Sequence, residues 1–477
     1  MSKLLQLLVD FGLLHAVFSH IHSHRDLLSL ALTCRGLKEI IIPEFLFSHL
    51  RFEATLDTDL NNWGRFDYAY NSLYNVLSGD NTRYAEAIRS FETPSINKGW
   101  GDVLQRAEHL HTLALHWSDI IRQHHSYTSA HSKLRYLRIE LCSAEDLDIV
   151  QDLSNLHGLS LNIHPAYALT PDSPLGKILT NSRGTLKALS LTGVAWRLHP
   201  SCSAQTLNEH DFVWPHVYEL YLRIINPAET IIPNLALACP STRFFYLPSN
   251  RIEHTVHDIY DACFVSRLES LRGEWTDIKF ATDAGATLRR AIVRLGDADS
   301  TIPFESYLVP SLESLTLKSE RSIRQYPLKQ LFAITPKLTF LRLRFFATSF
   351  LSFAETFVQW ILASVARLPL KYLHISCALF GANIFFAFGD VCTKISDARI
   401  EDYAKAFAAR ASASLPSFRA FSVQWSNGRS DWHRSIDEHG MARFCRVSMA
   451  DGMADEMWFD WGETKDYIPW NVGAKYE

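Results

Sequence analysis

A short phrase returns along most of this chain: leucine, two residues of any type, leucine, one of any type, then leucine or isoleucine. It reads Leu110, Leu113, Leu115, then Leu134, Leu137, Ile139, then Leu156, Leu159, Leu161, then Leu186, Leu189, Leu191. It comes back at Leu312, Leu315, Leu317, at Leu338, Leu341, Leu343, and at Leu370, Leu373, Ile375. Degenerate copies fall at Val217, Leu220, Leu222, at Thr242, Phe245, Leu247, at Leu268 with Leu271, at Leu288 with Val293, and at Phe418, Phe421, Val423. The copies start at 110, 134, 156, 186, 217, 242, 268, 288, 312, 338, 370 and 418, so most steps are 20 to 32 residues. Alternation at the last two apolar positions predicts a short strand with one face inward, and the first leucine turns the chain into it. One such unit cannot bury its apolar edge alone, so successive units must stack.

Phrase and period resemble those of leucine-rich repeats. The resemblance implies an α/β solenoid with a parallel sheet on its concave face and helices on its convex face. Segments able to form the convex helices are Asp146 to Leu153, Leu235 to Cys239, Leu328 to Ile334 and Phe353 to Leu368. The asparagine that regular repeats place after the strand is missing from nearly every copy, and the steps drift, so the expected solenoid is irregular.

Charged residues make up 21% and hydrophobic residues 47% of the 477, close to globular averages, which points away from disorder and from a membrane protein. A net charge of -4 argues against a chain that binds nucleic acid over its whole surface. Cysteines at 34, 142, 202, 239, 263, 377, 392 and 445 form no C-x-x-C pair, the pattern of reduced thiols in small core sites. No window approaches 18 uninterrupted apolar residues, and histidines and Asp10 interrupt the start before any signal-peptide core. The expected location is cytoplasmic, nuclear or both.

Residues 1–55 are a different object from the repeats of 56–424. Leu13, Leu14, Val17, Phe18 and Ile21 fall at helix spacing behind Asp10 as an N-cap. Asp26 then precedes Leu27, Leu28, Leu30, Ala31, Cys34 and Leu37, which predicts a second helix whose last turn Gly36 weakens. A third short helix is expected from Pro43, carrying Phe45, Leu46 and Leu50. Three such helices bury little surface by themselves, so the unit needs a partner.

The stretch from Leu13 to Ile21, followed by Arg25 to Arg35, resembles an F-box: Leu-Leu-x-x-Val-Phe-x-x-Ile, then Asp-Leu with Cys-Arg further on. An F-box followed by irregular leucine-rich repeats is similar to F-box proteins of mushroom-forming fungi. The Leu-Pro pair and glutamate that open the family's motif fall here on Val9, Asp10 and Gly12. The resemblance implies the substrate-recognition subunit of a cullin-RING (SCF-type) ubiquitin ligase. Its F-box would dock a Skp-type adaptor, and through it a cullin scaffold, while the repeats hold a target protein. Carried over by position, the adaptor-binding residues are Leu13, Leu14, Val17, Phe18, Ile21, Leu27, Leu30, Leu32, Cys34 and Leu37. The alternative is a repeat scaffold, not coupled to ubiquitin transfer, whose F-box-like start serves as a cap.

Residues flanking the inward apolar positions are expected on the concave face. Among them Tyr136, Arg138, Tyr221, Arg223, Lys318, Phe340, Arg342, Arg344, Tyr372 and His374 are the candidate partner-binding residues, because tyrosine and arginine dominate interface hot spots. Cations there outnumber Glu140 and Glu219, so an acidic or phosphorylated partner is expected. His20, His22 and His24 alternate like metal ligands but lack a cysteine or carboxylate to complete a set, and His109, His111 and His116 lack one too. No Walker sequence, G-x-G-x-x-G or G-x-S-x-G is present, so no cofactor, metal or enzymatic activity is expected. Asp397 to Ala413 predicts an enlarged convex helix, and the tryptophan-rich acidic segment 425–477 a C-terminal cap over the last repeat.

Overall fold

The computed structural model of the chain describes residues 24–51, 71–79, 83–93, 100–117, 133–196, 212–224, 235–246, 262–295, 309–319, 328–347, 360–379, 397–415, 417–425, 428–436, 442–448, 451–453 and 456. They belong to two compact units, Met1–Ser241 and Thr242–Glu477. In the first unit, β1 (His49–Arg51), β2 (Ser90–Thr93), β3 (Thr112–Trp117), β4 (Tyr136–Cys142), β5 (Gly158–Leu169), β6 (Ala188–Trp196) and β7 (Glu219–Ile224) pair in parallel, each with the next in chain order. In the second, β8 (Phe244–Tyr246), β9 (Ser270–Glu274), β10 (Arg290–Leu295), β11 (Ser314–Ser319), β12 (Phe340–Ala347), β13 (Tyr372–Leu379) and β14 (Ala420–Trp425) do the same. Helices alternate with the strands, an arrangement consistent with a leucine-rich-repeat-like solenoid.

Strand positions follow the repeated phrase. Each of the twelve copies is answered by a strand, β3 to β14, that starts two residues after its first apolar position. The reason is steric: that first residue, such as Leu110, Leu156 or Leu312, is fully buried at the corner where the chain enters the sheet. The next two apolar positions then stack in rows. Leu113, Leu137, Leu159, Leu189 and Leu220 are in register in the first unit, and Leu271, Ala291, Leu315, Leu341, Leu373 and Phe421 in the second, all at most 2% exposed. Cys142 and Cys239 are buried, and burial pushes the Cys239 thiol up to about 12. Cys34, Cys263 and Cys445 are exposed.

Expected convex helices are present where they are described. Ala144–Val150 is opened by a capping box in which Ser143 and Asp146 satisfy each other's backbone N–H groups. Leu235–Ala238 and Leu328–Ala333 match their segments, and 360–365 is helical within the fourth. The long helix Asp397–Ser414 buries Ala404, Phe407, Ala408 and Ala411 at three-and-four spacing.

At the N-terminal end the structure corrects the helix reading. The stripe from Leu27 to Leu37 is two helices, α1 (His24–Ala31) and α2 (Arg35–Ile41), and Asp26 lies inside the first instead of capping it. The break comes from Thr33, whose hydroxyl donates to the Leu30 carbonyl at 2.7 Å, and from Cys34, whose extended backbone starts the second helix. Pro43 falls in a wide π-type turn, Ile42–Leu46, that continues from α2. Leu27, Ala31, Ile41 and Phe45 form the core of this small cluster.

At the C-terminal end the sheet changes direction. β15 (Gly428–Ile436) pairs antiparallel with β14, and β16 (Ala442–Val447) antiparallel with β15. Trp432 stacks on Phe421 at 6.0 Å with a 3° interplanar angle, and Phe444 meets Phe421 edge-on at 5.3 Å. Phe407 closes the cluster at 4.9 Å from Phe421. Among the described residues no helix is long and apolar enough to cross a membrane.

Trp432 is 6% exposed at the end of the core row. Trp432→Ala is expected to cost about 3 to 5 kcal/mol in urea unfolding, the range for deleting a buried large aromatic side chain. A loss under about 1 kcal/mol would show that the aromatic cluster does not close the core.

Candidate partner-binding face

Residues that alternate with the buried rows face away from the helices, and the two units use that face differently. In the first unit Tyr136, Arg138, Ser160, Ser190, Tyr221 and Arg223 are each partly exposed. Register places Arg138 beside Ala114 and Ser160, and Tyr221 beside Ser190. Small neighbours leave the long side chains standing above the sheet. Arg138 pairs with Glu140 on its own strand, so part of its charge is spent locally. Tyr136 sits edge-on to the His157 ring, with centroids 5.9 Å apart.

In the second unit the corresponding face is largely covered. Phe340, Tyr372 and His374, expected as accessible contacts, lie on that face but are no more than 3% exposed. Phe340 and Tyr372 stack with centroids 5.3 Å apart and planes 2° from parallel, and Ala420 extends the row on the next strand. These aromatics act as packing in this arrangement. Lys318, Arg344, Ser376 and Gln424, on the adjoining row, remain partly exposed.

Four charged groups explain how a polar face tolerates burial. Arg429 grips Asp431 with two nitrogens at 2.8 to 3.0 Å and reaches Glu456 Oε2 with Nη1 at 2.9 Å. Arg342 pairs with the other oxygen of Glu456. Two arginines and two carboxylates balance, which is the condition for keeping ions out of water at tolerable cost. His374 Nδ1 lies 3.0 Å from Glu456 Oε1. Burial first, then the charges of Arg342, Arg429 and Arg344, hold the pKa of His374 well below the ordinary histidine value, so the ring is neutral. A proton there would upset the two-against-two balance. Gly452 lets the segment leading to Glu456 lie against the sheet, since a Cβ on it would fall 2.1 Å from Asp431 Cγ.

Sequence reasoning missed several of these residues. Arg272 and Arg294 stand on the same face, in register with Thr316 and Lys318 through β10 and β11, but their repeats carry the degenerate phrases at Leu268 and Leu288. Alternation around Leu271 and Val293 was the signal that would have found them. Arg429 and Asp431 lie on an antiparallel strand outside the repeat pattern. No periodic signal marks Glu456. Of the adaptor-binding candidates, Leu13, Leu14, Val17, Phe18 and Ile21 lie outside the described residues. Leu27 is buried against Ile41 and Phe45, Leu30 and Leu37 are half-buried beside them, and Leu32 and Cys34 are exposed.

Because His374 is neutral in the folded chain and free to protonate once unfolded, its contribution to stability is whole above about pH 6.5 and is lost as the pH falls below that value. His374→Gln is therefore expected to flatten the decline of the melting temperature between about pH 6.5 and pH 5. Parallel curves for the two proteins would show that the ring does not titrate with folding.

The chain matches no protein-family model and no curated protein.

Proposed function

We propose that this chain is the substrate-recognition subunit of a cullin-RING ubiquitin ligase, with its N-terminal helices docking a Skp-type adaptor and its repeats binding a target protein. The observation that supports it most is the apolar surface left over on α1. Leu27 and Ala31 tie that helix to its own cluster, while Leu28 and Leu32, one turn apart, are 41% and 69% exposed. Leu32 is one of the residues that the F-box resemblance assigns to the adaptor. An apolar pair facing water on a short helix is costly unless something covers it. In this reading the chain performs no bond chemistry, and the partly exposed Tyr136, Arg138, Tyr221, Arg223, Lys318 and Arg344 contact the target.

A repeat scaffold without adaptor coupling is the second reading. It is favoured by the way the helical cluster runs directly into β1 and by the Phe47 ring, 5.1 Å from Tyr84 of the following repeat, a contact suited to an end cap.

Replacing both Leu28 and Leu32 by aspartate separates the two. Both side chains are exposed, so the double variant is expected to fold with an unchanged circular dichroism spectrum and to lose capture by a purified Skp-type adaptor. Capture of the variant at wild-type level would remove the adaptor reading and leave the scaffold.

A further inference from the structure

On the outer face of the second unit, one buried side chain comes from far along the sequence. Glu456 lies among Arg342 of β12, His374 of β13 and Arg429 of β15, 3.0 Å from His374 Nδ1 and 2.9 Å from Arg429 Nη1. Strand register brings these groups together. Arg342 is in register with His374, His374 with Ser422 of β14, and Ser422 with Asp431 of β15. Arg429 stands two residues before Asp431 on the same face and is held by that carboxylate. Each arginine takes a different oxygen of Glu456, so the sheet grips one carboxylate from two sides with charge-assisted contacts.

The segment that carries Glu456 buries little else. It starts at a turn in which Ser448 Oγ donates to Asp451 Oδ2 at 2.6 Å and Gly452 N to Ser448 O at 3.0 Å. Asp451 then faces water, Gly452 has no side chain and Met453 is half-buried, so among the segment's described side chains only that of Glu456 is buried. Taking an ion pair out of water costs about what its attraction returns. A segment whose one buried side chain is charged therefore belongs to the low-stability end of a fold, from which binding elements are drawn. The fit also leaves a remainder: His374 Nδ1, despite its nearness to Glu456, and Ser422 Oγ are buried without a hydrogen bond. Two residues earlier on the same strands, about 7 Å away, runs the apolar row of Phe340, Tyr372 and Ala420. A carboxylate pocket beside an aromatic row suits a peptide whose glutamate adjoins aromatic residues. The chain's own sequence has that composition, since Met457, Trp458 and Phe459 follow Glu456.

We propose that the Arg342–His374–Arg429 cluster is a pocket for a glutamate of an acidic, aromatic-flanked peptide segment in the target, and that Glu456 holds its place until the target displaces it. The inference rests on the reading that the repeats bind a target protein, and it uses neither α1 nor the adaptor. One carboxylate leaves as another arrives, so the exchange does not leave the buried arginines facing an empty site. A tethered competitor acts at roughly millimolar effective concentration. Glu456 thus excludes weak acidic peptides and admits a segment that makes further contacts on the repeats.

The test uses the full chain without any adaptor and a fluorescein-labelled peptide with the sequence of residues 451–460, read by fluorescence anisotropy. Wild type is expected to bind it weakly, because its own Glu456 competes. Glu456→Gln is expected to bind about tenfold more tightly. That gain should vanish when Arg342→Gln is added, or when the peptide carries glutamine in place of its own glutamate. Equal affinity of wild type and folded Glu456→Gln overturns the proposal, as does a gain that survives either loss of charge. Where Glu456→Gln does not fold, Gly452→Ala keeps every charge and sets a Cβ 2.1 Å from Asp431 Cγ, so the segment must lift. It is expected to raise the affinity about threefold, and no rise overturns the proposal. Tighter binding of the same peptide with phosphoserine at the glutamate position overturns the carboxylate assignment. Adaptor capture through Leu28 and Leu32 is read in a separate assay, so the ligase reading and the pocket can fail independently.

Discussion

Within each unit, successive described repeats offer the two N–H groups at the strand entrance to one carbonyl of the repeat before. Arg89 O takes His111 N and Thr112 N, His111 O takes Arg135 N and Tyr136 N, and Arg135 O takes His157 N and Gly158 N. The second unit repeats the device from Arg243 O through Lys371 O. Buried backbone groups must be paired, and this shared acceptor leaves the next strand a single register. Side chains then stack in rows whose character is decided position by position. The leucine rows exist because register is fixed, and so does the Phe340–Tyr372 stack.

Hydroxyl groups reinforce the same corner. Thr185 Oγ1 donates to Leu156 O, Ser311 Oγ to Leu288 O and Ser417 Oγ to Leu370 O, each reaching back to the carbonyl of the previous corner residue. Indole nitrogen does comparable work between Trp214 and Leu179 O at 3.0 Å. With backbone demands met this way, loops between strands can vary in length without moving the sheet. The drift in repeat length is therefore tolerated, and no consensus asparagine is needed.

On the outer face the two units differ through one added segment. In the first, polar side chains stay partly in water, and Arg138 finds its counter-ion two residues along its own strand. In the second, the strand hairpin after β14 delivers Arg429 and Asp431 and the following segment delivers Glu456, so Arg342 is neutralised at depth. The balance of charges, with His374 uncharged, is what lets an arginine-bearing face lose its contact with water.

The sequence by itself determined where the strands lie, because a strand needs only its own alternation and the corner leucine before it. The phrases from Leu110 to Phe418 located β3 to β14, and the alanine-rich run from Asp397 located the long helix. It also determined which side chains face away from the helices, since alternation in a pleated strand is a local property. Short elements escaped it: β1 and β2 precede the phrase, and Thr33 and Cys34 divide a stripe that reads as one helix. Only the tertiary structure decided which outward residues meet solvent. Phe340, Tyr372 and His374 carry the same local pattern as Tyr136 and Tyr221, and they are buried while the latter are not. The difference comes from packing over the face, where Glu456, more than eighty residues after His374, pairs with Arg342 and Arg429. No local periodicity encodes a contact at that separation.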